Sequence, residues 1–320
     1  MGLGSVVDSV LDRAVLPGYS RLGYRIREHA WSGDPEPQAL RGKTAMVTGA
    51  NSGIGKAIAG GLAALGATVV MVSRNLERVE GARAELIAEH PDADLRAEVC
   101  DVADLSAVRW FVADLGARLP SLDVVIHNAG LLPAARAETA DGHEITLATH
   151  VLGPVLMTEL LVPVLAASQD PRVILMSSGG MYTQGLAVDD PEYRVGRYRG
   201  ATAYARTKRM QVALTPVLAE RWKAAGISVY CMHPGWADTP GVVTSLPTFQ
   251  KLTKPLLRTA SQGADTAVWL AATQPAPPTG RFWHDRRQRP EHYLPFTRES
   301  GADRERIWRY CARAIGLRDS

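Results

Sequence analysis

Between Thr44 and Ser73 the chain reads TAMVT, GANSGIG, KAIAGGLAALG and ATVVMVS: a short apolar run, a glycine-rich turn, a helix-period segment and a second apolar run. Glycines between a strand and a helix let the backbone approach a ligand closely and aim the positive end of the helix dipole at an anion. In this setting the spacing TGxxxGxG predicts a βαβ unit that holds dinucleotide phosphates. Helix and strand then alternate as a parallel sheet requires, with helices over 76–90, 104–119 and 143–167 and strands over 95–100, 122–127, 172–178 and 227–232. The predicted fold is therefore α/β, a doubly wound parallel sheet. Ligands of such sheets bind outside the carboxyl ends of the strands. Asp101-Val102 and Asn128-Ala129-Gly130 fall there, beside Gly49, Ser52, Gly53, Ile54 and Gly55 of the first turn.

The end of the second strand indicates which dinucleotide is taken. An Asp or Glu there accepts from a ribose 2'-hydroxyl, whereas a 2'-phosphate requires an arginine. The chain reads Ser73-Arg74-Asn75 with no carboxylate before Glu77, which predicts NADP(H) in preference to NAD(H). Further on, VILMSSGG ends an apolar run with two serines, and TAYARTK places Tyr204 and Lys208 four apart on one helical face. An ammonium beside a phenol favours the ionised phenol and can bring it toward neutral-pH proton exchange. Pro216, two turns beyond Lys208, predicts a kink in that helix.

Composition bounds the rest. With 46% hydrophobic and 22% charged residues, the chain is a globular protein able to bury a large core. A net charge of +3 excludes a nucleic-acid footprint, and residues 286–320 read as a basic C-terminal tail. Cys100, Cys231 and Cys311 lie far apart with no CxxC spacing, the pattern of reduced thiols in a cytoplasmic setting. No apolar run has the length of a membrane span, and no signal peptide is visible. Residues 1–41 are expected to be a helical extension and linker. Val6, Val7, Val10, Leu11 and Ala14 fall on one face and are stopped by Pro17-Gly18; Tyr19, Leu22, Ile26 and Ala30 fall on another. Such a stripe packs on its own protein or on a second subunit, or makes a weak peripheral contact with a membrane surface through residues 1–31.

TGANSGIG at 48, NAG at 128, Ser178, YARTK at 204 and PGWADT at 234 together resemble the short-chain dehydrogenase/reductase superfamily over about residues 42–285. More narrowly, SSGGMYTQ, MHPGWADTPGV, QGADTAVWLA and GRFWHDR resemble the dehydrogenase/reductase SDR family member 12 group, with likeness reaching into Gly18–Gly23. The resemblance implies a homo-oligomeric, nicotinamide-dependent oxidoreductase with one Rossmann-type domain. It assigns Tyr204 as acid or base, Ser178 rather than Ser177 as the group orienting the substrate oxygen, and Lys208 to the nicotinamide ribose. Gly49, Ser52, Ile54, Arg74, Asp101, Val102, Asn128, Pro234, Gly235 and Thr239 fall where the family touches cofactor. The chain departs from the family at Thr149-His150-Val151-Leu152-Gly153, where an asparagine usually helps hold a water beside the lysine. His150 can take over that relay, since imidazole both donates and accepts, or be a core histidine bonded to backbone. His127, His143 and His233 are expected to be structural or supporting.

The expected reaction is hydride transfer between NADP(H) and a carbonyl or alcohol carbon. The loop 237–260, with Val242, Val243, Leu246, Phe249, Leu252, Leu256 and Leu257, suggests an apolar small-molecule substrate, and the 181–201 excursion can cover the same pocket. Trp236, Trp283 and Tyr293 can line it or belong to the core. A non-catalytic NADP(H)-binding sensor or scaffold is the alternative; it would keep TGANSGIG but could dispense with Tyr204 and Lys208. No metal site is expected.

Overall fold

The computed structural model describes residues 8, 15–31, 33–238 and 254–317. Strands β1 (Thr44–Thr48), β2 (Thr68–Ser73), β3 (Leu95–Val99), β4 (Val124–His127), β5 (Arg172–Met176), β6 (Ser228–Met232), β7 (Arg281–His284) and β8 (Arg287–Gln288) form one sheet in the order β3-β2-β1-β4-β5-β6-β7-β8. All neighbours are parallel except β7 and β8. This is the doubly wound, Rossmann-type arrangement expected from the alternation of elements.

Two short N-terminal helices, α1 (Val15–Tyr19) and α2 (Arg21–Glu28), precede the sheet. The others are α3 (Gly53–Ala64), α4 (Leu76–Glu89), α5 (Leu105–Arg118), α6 (Ile145–Leu165), α7 (Gly200–Arg221), α8 (Ala260–Ala272) and α9 (Gly301–Ala314). Their starts follow local chemistry. Asp104 accepts from the amides of Ser106 and Ala107 at 2.9 Å, and Thr259 with Gln262 forms a reciprocal capping box. One face of the sheet packs Ile58, Leu62, Val79, Leu86 and Leu270 of α3, α4 and α8; the other packs Val108, Leu156, Leu161, Leu214 and Ile307 of α5, α6, α7 and α9. Ile145–Leu165 is long and apolar enough to cross a membrane by length and composition, unlike the sequence expectation, but 78% of that window is buried inside the fold, as in a core helix.

Several local expectations change. The helix after the glycine turn begins at Gly53, within the glycines, and α7 continues through Pro216. Residues 148–152 of α6 form a π-helical turn around His150. On α2 the buried residues are Gly23 and Arg27, whereas Leu22 and Ile26 are 54% and 43% exposed, the reverse of the stripe read from the sequence. The reason is electrostatic. Arg27 is drawn inside by Asp285 at 2.8 Å and Asp8 at 2.8 Å. Pro17-Gly18 lies within α1 rather than ending it, and the stripe Val6 to Ala14 lies outside the described residues. In the basic C-terminal segment, α9 buries Ile307 and Cys311 against α5 to α7.

Asp285 is the hub of this packing, because Arg258 reaches its two oxygens at 2.6 and 2.9 Å while Arg27 shares one of them. Burial pushes the carboxyl up, but His284, Arg258 and Arg27 beside it overcome this and hold it far below the ordinary carboxylate value. A carboxyl depressed in the folded state contributes stability that is complete above its unfolded value and is lost as the pH falls below it. Asp285 has φ of 50°, a region asparagine tolerates, so Asp285→Asn isolates the charge. The variant should lose about 3–5 kcal/mol of stability near neutral pH, the cost of an uncompensated buried charge, and progressively less below about pH 4, where the unfolded chain takes up a proton that the folded wild-type carboxylate does not. Denaturant unfolding as a function of pH measures both.

Candidate active site

A cleft of about 1070 Å³ runs along the carboxyl ends of the strands. It brings together Gly49, Ser52, Gly53, Ile54, Gly55, Arg74, Asp101, Val102, Asn128, Ala129, Gly130, Ser178, Tyr204, Lys208, Pro234 and Gly235, separated by up to most of the chain length. Thr239 lies outside the described residues. His150 is the predicted site residue that does not line the cleft.

At the first turn, a side chain on Gly55 would place its Cβ 2.2 Å from the Gly49 carbonyl oxygen, so only glycine lets the helix start this close to β1. Ser52 makes no capping hydrogen bond, which leaves the first amides of α3 open toward the cleft. Asn128 clamps the next turn to β1: its amide and that of Ala129 donate to Thr48 Oγ1 at 3.1 Å, and its Nδ2 donates to Thr48 O at 3.0 Å. Arg74 and Arg78 are exposed at the end of β2, with Asn75 capping α4 between them. Arg78, in the first turn of α4, also borders the cleft and was not singled out from the sequence. These open amides and guanidinia, unopposed among the described residues, match the donor set of a phosphate-bearing dinucleotide.

The two serines after β5 separate by role. Ser177, although it borders the cleft, donates to Lys208 O at 2.9 Å and is 3% exposed. Ser178 caps the 3-10 turn Gly179–Thr183 through Gly180 N at 3.2 Å and hydrogen-bonds Tyr204. Burial raises the Tyr204 phenol above its ordinary value, and the Ser178 bond only partly offsets this. The lowering expected from Lys208 is absent: only Ser178 acts against the effect of burial. Lys208 Nζ stands 5.5 Å from the phenol ring centroid and donates to Met176 O at 2.7 Å, while burial pushes its ammonium down to about 7.

His150 is fully buried and bonded at both nitrogens. Nδ1 faces Thr207 Oγ1 at 2.8 Å, and Nε2 accepts from Leu131 N–H at 3.1 Å. Because a backbone amide only donates, Nε2 carries the lone pair and Nδ1 the proton. The ring stands edge-on to Tyr204 with centroids 5.2 Å apart, and the His150 carbonyl accepts from Gln211 Nε2 at 2.7 Å. The imidazole is thus a neutral strut between the Gly130-Leu131 wall and α7. Burial and the Lys208 charge hold it well below its ordinary value.

The remaining histidines have their own partners. His127 Nε2 meets Thr158 Oγ1 at 2.7 Å, His143 Nδ1 meets Glu192 Oε1 at 2.8 Å, and His233 stacks on His284 at 3.7 Å. Glu192 also accepts from Glu144 N at 2.6 Å, which fastens the 181–201 excursion over the start of α6. The carboxylates and imidazole of Glu291, His292 and Glu299 gather within 4.8 Å, but Arg209 already occupies them, 2.6 Å from Glu299 Oε2. Leu131, Leu132, Pro133, Ile145, Trp236 and Leu257 form an apolar wall near Tyr204. Of the loop residues expected there, Leu257 lines the cleft, Leu256 is 39% exposed, and Val242 to Leu252 lie outside the described residues. Trp283 packs on Trp269 and Tyr293 on Tyr182, away from the cleft.

The His150 geometry has a direct spectroscopic consequence. With imidazole nitrogens labelled and its signals identified by their loss in His150→Asn, the ring should show one Nδ1–H tautomer and no titration from about pH 5 to 8, despite the ordinary histidine value near 6.5. A midpoint inside that range would make His150 a proton carrier rather than a strut.

Known proteins agree with this geometry. The short chain dehydrogenase family model matches residues 43–248. Dehydrogenase/reductase SDR family member 12 of Bos taurus is 41% identical over 291 residues, 90% of each chain. Human retinol dehydrogenase 13 is 30% identical over 292 residues, 88% of this chain and 87% of that one. Among solved structures, the Pseudomonas aeruginosa RhlG/NADP active-site complex superposes with a TM-score of 0.63 at 25% identity, covering 77% of this chain and 95% of that one. The glycine turn, the strand-end cleft and this similarity over most of its length together place the chain in the short-chain dehydrogenase/reductase family of nicotinamide-dependent oxidoreductases.

Proposed function

We propose that the protein is an NADP(H)-dependent oxidoreductase that interconverts a carbonyl and an alcohol on an apolar small molecule. The observation that carries this reading is the joining of two ends in one cleft. Arg74 and Arg78 stand at one end, while Ser178, Tyr204 and Lys208 stand at the other beside an apolar wall. The first-turn amides of α3 would hold the pyrophosphate, Arg74 the 2'-phosphate, and Lys208 the nicotinamide ribose. The bound nicotinamide supplies the hydride. In reduction, Tyr204 holds the proton that the substrate oxygen receives, and Ser178 steadies that oxygen by hydrogen bonding, an electrostatic contribution of a few kcal/mol in comparable sites. In oxidation, the phenolate takes the proton back. Leu131, Leu132, Ile145, Trp236 and Leu257 exclude water from the reacting carbon. Relatives named retinol dehydrogenase support an apolar alcohol or carbonyl as substrate.

Purified protein mixed with NADPH and a panel of medium-chain ketones, aldehydes and steroid or retinoid carbonyls should consume cofactor. Tyr204→Phe should lower kcat by about 10²–10⁴-fold, the usual contribution of a general acid. Equal rates for wild type and variant would remove Tyr204 from the chemistry.

Arg74→Asp should raise the Kd for NADPH by about 10- to 100-fold, the loss of a charge-assisted hydrogen bond, and leave NADH much less affected. Fluorescence titration with both cofactors checks this. The same change for both would place the 2'-phosphate contact elsewhere.

A further inference from the structure

We infer that the N-terminal segment Pro17–Glu28 is the back wall of the substrate end of the cleft, and that Tyr19 is a positioning residue for Ser178 and for the segment Pro234–Asp238. The inference rests on the oxidoreductase reading for its effect on turnover, though not for its structural content.

Tyr19 is 1% exposed and lies in the core on the α6–α7 side of the sheet, far in sequence from Gly179, His233 and Trp236, which it meets. Its ring covers Gly179, the residue after Ser178. A Cβ on Gly179 would stand 2.6 Å from Tyr19 Cε2 and 3.0 Å from Cδ2. The chain therefore carries glycine there because an aromatic ring from the N-terminal segment takes the space. The same ring meets His233 edge-on at 4.6 Å and Trp236 at 6.2 Å. Its carbonyl accepts from Trp236 N–H at 2.8 Å. One residue thus holds both the turn that presents the Ser178 hydroxyl and the strand-end segment opposite it.

Arg258 fastens this arrangement. Its side chain, 1% exposed, donates to Ser20 O at 3.2 Å, Gly18 O at 3.2 Å and Pro234 O at 3.3 Å, besides its paired bonds to Asp285. Its backbone pairs with the other end of the substrate loop: Arg258 N donates to Trp236 O at 2.7 Å and Asp238 N to Arg258 O at 2.9 Å. The two ends of residues 239–257 therefore meet on the N-terminal segment. Gly235, at φ of 75°, completes the fit, since a Cβ there would fall 2.5 Å from Arg258 Nε and 2.8 Å from Tyr19 O. This segment, which sequence reading treated as an extension for assembly or a membrane, thus builds the cleft's substrate end from behind.

Removing the ring leaves the Ser178-Gly179 turn and the Trp236 segment unsupported, while the phosphate-binding end at Gly49–Gly55 and Arg74, from which most of the dinucleotide's affinity comes, is untouched. Small displacements of reacting groups cost about 10²-fold in rate. Tyr19→Ala should therefore lower kcat by about 10- to 100-fold, with the Kd for NADPH changed less than about threefold, whereas Tyr19→Phe keeps the ring and should turn over at a rate near wild type. Hydrogen exchange by mass spectrometry supplies a readout independent of activity: Ser178–Met181 and Trp236–Asp238 should exchange faster in Tyr19→Ala and not in Tyr19→Phe. Should Tyr19→Ala fail to fold, Tyr19→Leu carries the same comparison. Unchanged exchange in those two segments overturns the inference, as does an unchanged kcat in an active enzyme or an equal loss in Tyr19→Phe. If wild type consumes no cofactor with any carbonyl, the oxidoreductase reading fails by itself, and the exchange comparison still decides the role of Tyr19.

Discussion

The structure depends on the reversal of strand order at β1. With β2 and β3 on one side and β4 to β7 on the other, the chain leaving β1 turns one way and the chain leaving β4 turns the other. Their diverging turns open a crevice that no side-chain choice has to create. The chemistry-bearing residues then need only occupy strand ends or the first turns of the following helices. Gly53–Gly55, Asp101, Asn128–Gly130, Ser178 and Pro234-Gly235 all do so, and α7 lays Tyr204 and Lys208 across the same edge.

Burial sets the proton chemistry within that crevice. Desolvation opposes charge on both partners, driving the Tyr204 phenol up and the Lys208 ammonium down to about 7. A phenol beside a neutral amine gains nothing from it, so the pair acts as an acid–base device only when Lys208 is charged. Groups that accept hydrogen bonds from Lys208 favour that charged form. Met176 O already does so within the fold, and ribose hydroxyls of the family's cofactor would do so in the cleft. On the proposed reading, cofactor held at Lys208 would favour the charged lysine and so the proton exchange of Tyr204 beside it. His150 stays outside this linkage, because its nitrogens are committed to Leu131 and Thr207 and its carbonyl to Gln211.

The dinucleotide half of this design was legible in the sequence because its signals are local. A strand, a glycine turn and a helix occupy consecutive residues, and strand ends can be counted from alternation alone. The choice of Ser178 over Ser177 came from family likeness; in the fold Ser177 donates to the Lys208 carbonyl and Ser178 accepts from Gly180 N. What stayed hidden depends on distant partners. Leu22 and Ile26 read as buried because nothing near them in sequence reveals that Asp285 draws Arg27 inside instead. The π turn at His150 leaves no mark on the apolar pattern of α6. Trp283 and Tyr293, for which the sequence left pocket and core both open, have neighbouring rings as partners.

The placement of buried charge divides the molecule's labour. Buried ion pairs contribute little net stability against well-packed apolar groups, and a single missing partner is costly, so their best-attested use is to fix one arrangement over others. Here Arg27, Arg258 and Asp285 lie behind the substrate end, and Arg209 with Glu299 joins α7 to the C-terminal segment. At the cofactor end Arg74 and Arg78 remain exposed, and the backbone of β1, α3 and β4 sets the geometry. A dinucleotide presents the same phosphates to every member of the fold, so the sheet can position it. A substrate carbonyl has to be held by segments after β5 and β6 that the sheet does not fix. The chain supplies the missing constraint by folding an N-terminal segment onto them and locking it with buried charge, so that residues outside the strand–helix alternation support the turns after β5 and β6.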